Sequence, residues 1–378
     1  MKLSVAIPCL DEARTIEEAV GLARALVDAA ASGDGEVVVG DNGSSDGSRA
    51  LAERAGARVA PAARRGYGFA LLAAIRASRG DVIVMGDADA TYDFREAAPL
   101  VAAVATGECD LAMGSRLRGR IEKGAMPFLH RHLGTPVLSW LIRRFFGLRI
   151  SDCNCGLRAF SRNAFDRMRL TCGGMEFASE MLVKAALAGL RVKEFPVSLR
   201  RDTRDRTPHL HTWRDGWRHL RFLLLFAPHV VFRLPGALLV AAFGLETALL
   251  CLGPVTVAGR FFDYHHLFYS VPLFCIGQQF LWFNAFAVRF RRFAGLGGEP
   301  PRPLPLERWL LAGGFAAAAG VAVLGSVLVE WWASGRGDLF AVRRCSLGLV
   351  LLLSGSLSVV NALMSSMLEL HFSHGEGE

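Results

Sequence analysis

Four apolar stretches near the C-terminus constrain this 378-residue chain more than any other feature. A helix needs about 20 residues to cross a bilayer's hydrocarbon core. Residues 234–252, 267–288, 309–329 and 345–368 are each of that order and predominantly apolar. Trp282, Trp309, Trp331, Trp332, Tyr264 and Tyr269 lie in or near these stretches, where aromatic rings favour the membrane interface. Before residue 232 the apolar runs are short and charges and glycines occur throughout. Pro228 and Pro235 punctuate the change. The expected organisation is a water-facing part, 1–212, an amphipathic bridge, 213–231, and a membrane part, 232–378.

Charge follows the same division. The net charge is +8, and residues after 232 carry ten arginines against nine acids, so nearly all the surplus precedes the spans. Only Lys2, Lys123, Lys184 and Lys193 are lysines among 43 basic residues. That skew fits genome composition, and it also fits guanidinium forks that grip phosphate. Arg289, Arg291, Arg292, Arg302 and Arg308 fall between the second and third spans. Their placement predicts a cytoplasmic loop and, with an even span count, a cytoplasmic N-terminal part. Arg336, Arg343 and Arg344 in the last loop weaken that bias. Residues 1–10 carry no signal-peptide pattern. Eight scattered cysteines are not the framework of a small disulfide scaffold.

Within the first part, strand-like runs at 3–7, 36–39, 58–60, 82–85 and 111–113 alternate with helix-like stretches at 15–30, 48–55, 70–77 and 96–103. Alternation of this kind predicts an α/β, doubly wound, mostly parallel sheet. Such sheets bind ligands beyond the carboxyl ends of their strands, so the residues following each strand are the candidates. No Gly-x-Gly-x-x-Gly follows the first strand and no Gly-Lys-Ser/Thr loop occurs, which removes the usual dinucleotide and P-loop signatures. Acids stand there instead: Pro8-Cys9-Leu10-Asp11-Glu12 after the first strand and Asp41-Asn42-Gly43-Ser44-Ser45-Asp46-Gly47-Ser48 after the second. The second run reads equally well as a turn with a helix cap. After the fourth strand comes Gly86-Asp87-Ala88-Asp89. Two carboxylates closing a buried apolar strand need compensation. A hard divalent cation, Mg²⁺ or Mn²⁺, shared with a diphosphate would supply it.

These runs, with Arg65-Gly66-Tyr67-Gly68, Gly114-Ser115-Arg116, Phe146-Gly147-Leu148-Arg149-Ile150-Ser151-Asp152, Gly156-Leu157-Arg158-Ala159-Phe160 and residues 176–182, resemble the ordered motifs of family 2 glycosyltransferases. The longer set is similar to the polyprenyl-phosphate branch that includes dolichol-phosphate mannose and glucose synthases. The resemblance covers residues 3–225 and implies a GT-A type domain, a nucleotide-diphosphate-sugar donor and an inverting transfer. It also implies that Pro8, Leu10, Glu12, Asp41, Gly43, Ser44, Asp46, Gly66, Asp87 and Ala88 hold the nucleotide. The metal would rest on Asp89 and Asp87, and the catalytic set would be Asp87, Asp89 and Arg116. Many relatives place Gln two residues after the second Asp; Thr91 stands there, and its hydroxyl is the third candidate metal contact.

The acceptor side follows from amphipathicity. Residues 137–148 and 213–226 alternate basic and bulky apolar residues, as interfacial helices do; packing on the sheet is the alternative. A lipid phosphate held there, undecaprenyl or dolichyl phosphate, would meet Arg116 and Arg131, with Arg200, Arg201, Arg204 and Arg206 as a second group. A phosphomonoester, with a second pKa near 6, is already an anionic nucleophile, so no general base is nominated. Expected partners are the nucleotide sugar, the lipid phosphate and the membrane, with no nucleic acid and with room for a homo-oligomer. Two other readings stand: a processive polysaccharide synthase, whose Gln-x-x-Arg-Trp motif is absent, and a non-catalytic membrane scaffold that binds nucleotide sugar. Cys153 and Cys155 are a weak soft-metal candidate, and His219 reads as an interfacial polar residue. Glu246, inside the first span, needs a partner such as Gln278.

Overall fold

A computed structural model of the chain describes residues 2–31, 34–202, 212–293, 304–337 and 339–370. Arg204, Arg206 and the expected loop arginine Arg302 lie outside the described residues. The chain divides into two compact units, Met1–Phe226 and Ala227–Glu378.

Unit 1 begins with strands and helices in alternation: β1 (Leu3–Cys9), α1 (Ile16–Ala31), β2 (Gly35–Asp41), α2 (Ser48–Arg54), β3 (Arg58–Pro61), α3 (Tyr67–Ala77), β4 (Val82–Met85), α4 (Ala98–Ala105) and β5 (Leu111–Ser115). It continues with α5 (Thr135–Phe146), β6 (Arg158–Ser161), α6 (Arg162–Met168), α7 (Phe177–Leu187), β7 (Val192–Pro196) and α8 (Thr212–Phe226). The seven strands form one sheet in the order β3-β2-β1-β4-β6-β5-β7. All pairings are parallel except those of β6, which runs antiparallel to β4 and β5.

The apolar strands are buried on both faces, as helices packed on both sides require. Leu3, Val5 and Ile7 of β1 pack with α1 and α4 residues such as Val20 and Leu100. The intervening Ala6 faces the opposite layer, with Leu71 of α3 and Met181 of α7. This two-residue alternation assigns each side chain to one helix layer, and the parallel direction of the strands fixes which loops leave the carboxyl edge of the sheet. Those after β1, β2, β3, β4, β5 and β7 all do, and the 151–157 segment returns to the same edge ahead of the reversed β6.

The five strands expected from sequence are present, β4 with the expected bounds and the other four extended by one to three residues. Strands β6 and β7 were not expected, because Arg158 interrupts one apolar run and Lys193-Glu194 the other. Helix α3 starts at Tyr67 rather than 70. His219 is not an interfacial polar residue: it is buried, and its Nδ1 lies 2.7 Å from Ser179 Oγ.

Unit 2 holds α9 (Leu234–Leu252), a small hairpin of β8 (Val255–Val257) and β9 (Arg260–Phe262), α10 (Leu267–Phe293), α11 (Leu306–Ala333) and α12 (Val342–Leu370). Ala258 and Gly259 both have positive φ in the hairpin turn, the geometry a two-residue loop favours. Among the described residues four segments are long and apolar enough to cross a membrane: His229–Leu252, Tyr264–Arg291, Leu306–Ala333 and Val342–Leu368. The second span is longer than expected. It carries Arg289, Arg291 and Arg292 on α10 itself instead of in a loop, and Arg289 is buried. Glu246 does not pair with Gln278: its carboxylate lies 3.3 Å from His266 Nδ1, and Gln278 bonds Ser354 O and Ser358 Oγ.

Candidate active site at the carboxyl edge of the sheet

The loops after β1 and β2 are stapled to each other through their acids and serines. Asp41 folds its own turn, accepting from the Gly43 and Ser44 amides at 3.3 and 3.1 Å. Ser44 Oγ accepts from the Asp11 amide at 3.0 Å, and Asp11 Oδ1 accepts from the Ser45 amide at 2.8 Å. Asp46 accepts from the Ala13 and Ser48 amides at 2.9 and 3.0 Å. Burial works to raise the Asp46 pKa, but the Ser48 hydroxyl and these amides outweigh it and hold the carboxyl below its usual value. Glu12 is buried, its amide bonded to Ser48 Oγ at 2.7 Å. The Gly47 position that opens α2 has no side chain to cap it, but Asp46, one residue earlier, takes the amide of Ser48, the helix's first residue, while the other acids shape the loop pair. Pro8 lies within β1, paired with Gly40 of β2, and Leu10 directly follows that strand.

Gly66 connects this pair to the next loop. Its amide donates to Asn42 Oδ1 at 3.1 Å. Its φ of +146° and a Gly173 carbonyl that would stand 2.2 Å from an added Cβ exclude any side chain there. The neighbouring Tyr67 hydroxyl donates to Asp87 Oδ1 at 2.8 Å. Burial, reinforced by Asp87, pushes the Tyr67 phenol well above its ordinary pKa, so it stays a donor at neutral pH.

Asp87 and Asp89 flank the buried Ala88 beyond β4. Asp89 Oδ1 accepts from the Thr91 amide at 3.1 Å and the Thr91 hydroxyl at 2.7 Å. Gly156 leaves space on the other side: a Cβ there would come 2.5 Å from Asp87 Oδ2. The donor set of two carboxylates and a hydroxyl is all oxygen, which suits a hard divalent cation. Among the described residues no three His, Cys, Asp or Glu side chains converge on one point. A cation here would draw further ligands from substrate and water, the usual pattern for Mg²⁺ beside phosphates.

Arg116, just beyond β5, forms a two-pronged pair with Asp152, Nε to Oδ2 at 2.7 Å and Nη2 to Oδ1 at 2.8 Å. The Asp152 side chain is fully buried and that of Arg116 is 13% exposed. Glu194 of β7 accepts from the Ser151 and Asp152 amides at 2.8 and 3.0 Å, locking the segment that carries Asp152. Tyr92, buried nearby, accepts from the Gly156 amide at 3.2 Å.

The other expected phosphate ligands are placed differently. Arg131 is exposed in the turn before α5. Partial burial and then Arg116 lower the pKa of the neighbouring His130, so that imidazole is neutral at neutral pH. Around Arg131, Phe128, Leu129, Leu133, Val137 and Trp140 are exposed, while Ser139 and Ile142 of α5 are buried in unit 1. Helix α5 thus has a packed face and an apolar outer face. Arg200 is held by Asp93, Nη2 to Oδ2 at 2.6 Å, and its amide donates to Thr91 O at 2.9 Å. This ties the segment after β7 to the Asp89–Thr91 loop. Arg201 is exposed, with its amide on Glu122 at 2.9 Å. Cys153 and Cys155 are fully buried, and burial pushes their thiols up to about 11 and about 12, which disfavours thiolate ligands.

Tyr67, Tyr92, Asp152 and Arg158 contribute to the site through long-range partners that sequence spacing does not signal, although Tyr67, Asp152 and Arg158 lie within family-like motifs. Arg158 is fully buried and donates to the carbonyls of Cys155, Ala178 and Cys153 at 2.9, 2.8 and 2.8 Å. It thereby braces the segment that faces Asp87.

A doubly wound sheet with acids gathered at its carboxyl edge, in a chain that also carries four helices long and apolar enough to span a membrane, describes a membrane-bound α/β protein with a candidate active site at that edge. The chain belongs to glycosyl transferase family 2: residues 4–169 match that family, and residues 301–369 match the glycosyltransferase family 2 C-terminal transmembrane region. It is 37% identical over 338 residues to the low-salt glycan biosynthesis hexosyltransferase Agl6 of Haloferax volcanii, covering 88% of this chain and 81% of that one. A dolichyl-phosphate hexose transferase of the same organism is 32% identical over 186 residues, covering 49% of this chain and 78% of that one. A solved structure of Mycobacterium tuberculosis glucosyl-3-phosphoglycerate synthase, in complex with Mn²⁺, uridine-diphosphate-glucose and phosphoglyceric acid, is similar with a TM-score of 0.48. That match is 24% identical and covers 60% of this chain and 79% of that one. The protein is a glycosyltransferase with a membrane-spanning C-terminal region.

Proposed function

We propose that this glycosyltransferase moves a hexose from a nucleotide-diphosphate sugar to the phosphate of a polyprenyl lipid, with inversion at the sugar. The observation that carries the reading is that Asp87, oriented by Tyr67, and the Asp89–Thr91 pair both follow β4 at the carboxyl edge of a sheet whose chain continues into four spans. The kinship with a dolichyl-phosphate hexose transferase supports the acceptor class.

In this reading the nucleotide lies along the stapled loops, against Pro8, Leu10, Glu12, Asp41, Gly43, Ser44, Asp46 and Gly66, with Asp87 and Ala88 at the diphosphate. Asp89, Asp87 and Thr91 would hold Mg²⁺ or Mn²⁺, which neutralises charge on the leaving diphosphate when bound. Tyr67 keeps Asp87 oriented as a neutral donor, and Asp152 holds the Arg116 guanidinium in one orientation. The lipid phosphate would enter beside Arg116 and Arg131, its tail leaving past the apolar outer face of α5. Arg200, Arg201 and Arg204 would then belong to a segment that senses the Asp89 loop through the Arg200–Thr91 bond. The phosphate oxygen attacks the anomeric carbon as the bond to the diphosphate breaks. Positioning and charge compensation suffice, because the nucleophile needs no proton removed. Residues 1–212 would be the catalytic part, 213–231 the interfacial part and 232–378 the membrane part, with the catalytic part on the cytoplasmic side.

The test gives the purified full chain labelled nucleotide hexose, divalent metal and polyprenyl phosphate, and follows label into lipid. Asp89→Ala should reduce transfer by about a thousandfold while the thermal transition stays in place. Unchanged transfer would remove the metal assignment, and label reaching only water or a soluble polymer would remove the acceptor.

A further inference from the structure

Helix α7 carries an ion pair that no step of the proposed transfer uses. Glu180 Oε1 and Lys184 Nζ lie 2.7 Å apart, one helical turn from each other, and their side chains are only 1% and 2% exposed. Two charges taken out of water recover that cost only if their remaining oxygens and protons also find partners. Here they do, and the partners lie outside the helix. Glu180 Oε1 accepts from the Thr171 amide and hydroxyl at 2.9 and 3.0 Å, and Oε2 accepts from the Cys172 amide at 2.8 Å. Lys184 Nζ donates to Arg169 O at 2.6 Å. Apolar residues could fill the same space in α7, but they could not grip the backbone of the 169–172 segment.

The gripped segment is itself docked on the candidate site. Gly173 O accepts from the Gly68 amide at 2.9 Å. A Cβ on Gly68 would stand 2.2 Å from Cys172 O, as one on Gly66 would from Gly173 O, so the 172–173 backbone lies flush against the turn that opens α3. Moving this backbone moves the turn that carries Tyr67, whose hydroxyl fixes Asp87 Oδ1. The other oxygen, Oδ2, faces Gly156, in the segment that Arg158 ties to Ala178 O in the first turn of α7. Both sides of Asp87 thus take their position from one helix, and the ion pair is the buried anchor of one side.

We infer that the buried Glu180–Lys184 pair positions Asp87 for the divalent cation, acting through the 171–173 backbone and Tyr67. Glu180 and Lys184 are positioning residues, and their effect reaches the metal only along that path. The inference rests on the metal assignment proposed above and is independent of the lipid acceptor.

The test follows Mn²⁺ binding to the purified full chain by electron paramagnetic resonance, with UDP or GDP present, and needs no acceptor. Glu180→Gln combined with Lys184→Met removes both charges at nearly constant volume and leaves no unpaired charge buried, so the thermal midpoint should stay close to that of the wild type. The Mn²⁺ dissociation constant should nevertheless rise on the order of tenfold. Tyr67→Phe should raise it by a similar factor, and adding Tyr67→Phe to the paired variant should raise it little further, because all three changes act on one Asp87 oxygen. Hydrogen exchange of the peptide that holds Gly68 should quicken in the paired variant. Unchanged exchange there would overturn the clamp. Unchanged Mn²⁺ affinity despite faster exchange, or losses that simply multiply with Tyr67→Phe, would overturn the path to Asp87. Gly68→Ala pries at the same contact from the other side with the ion pair intact. It should weaken Mn²⁺ to a similar degree, and it decides if the paired variant does not fold. Wild-type binding that Asp89→Ala leaves intact would instead remove the metal assignment, and the inference with it.

Discussion

Unit 1 encloses Leu3, Ile7, Leu71 and Ile83 between sheet and helices, whereas unit 2 turns its large apolar side chains outward and bonds its polar ones to each other. Leu311 and Phe315 of α11 are 75% and 79% exposed. Inside, Gln279 and Asn361 exchange two hydrogen bonds at 3.2 and 2.9 Å, and Gln278 bonds Ser358. The helices approach through glycine: an added Cβ on Gly320 would sit 2.4 Å from Leu352 N, and one on Gly355 2.4 Å from Gly313 O. The difference teaches which solvent each unit answers to. Water drives apolar surface together in unit 1. In lipid that force vanishes, and close backbone packing with polar contacts takes over.

Substitutions can break this contrast in order of size. Asp152→Ala strands the Arg116 guanidinium in a buried site and should cost roughly 3–5 kcal/mol, read as a lowered thermal midpoint of the full chain. An unshifted midpoint would mean that the pair does not brace the site. Leu71→Ala should cost about 2–5 kcal/mol, while Leu311→Ala in a bilayer should change stability very little, since lipid replaces the lost contact. Similar losses at both positions, measured side by side in nanodiscs, would contradict the assignment of lipid to the α11 surface.

Gly320→Val should separate α11 from α12 and cost about 1–3 kcal/mol, visible as faster loss of structure in detergent. Asn361→Leu removes one interhelical pair and should cost only about 0.6 kcal/mol; a loss of several times that would show the polar contacts to be a coupled network.

The smallest effect concerns acid. The Arg95 hydrogen bonds first, and then Arg200, hold the Asp93 carboxyl below its usual pKa against the opposing effect of burial. A depressed carboxylate contributes stability above its unfolded pKa, near 4, and loses it as pH falls through the lower folded value. Arg200→Gln should therefore raise the acid midpoint of unfolding slightly. A midpoint that stays where it was would show that Arg200 adds nothing to Asp93.

Local patterns in the chain determined the five strands from β1 to β5, the acids that follow β1, β2 and β4, and the four spans, because short apolar runs bounded by turn residues and long apolar runs are short-range signals. Tertiary structure alone decided the rest. Strand β6 holds a fully buried arginine, and only the carbonyls of Cys153, Cys155 and Ala178, gathered from two other segments, make that burial tolerable. Tyr67 reaches Asp87 across 20 positions and Arg116 reaches Asp152 across 36. His219 and Glu246 took partners, Ser179 and His266, that no spacing indicates. The sequence states which groups a chain has available for charge and hydrogen bonding. Which of them meet is a property of the folded sheet edge and the packed helices, where distant segments must satisfy each other's buried polar atoms.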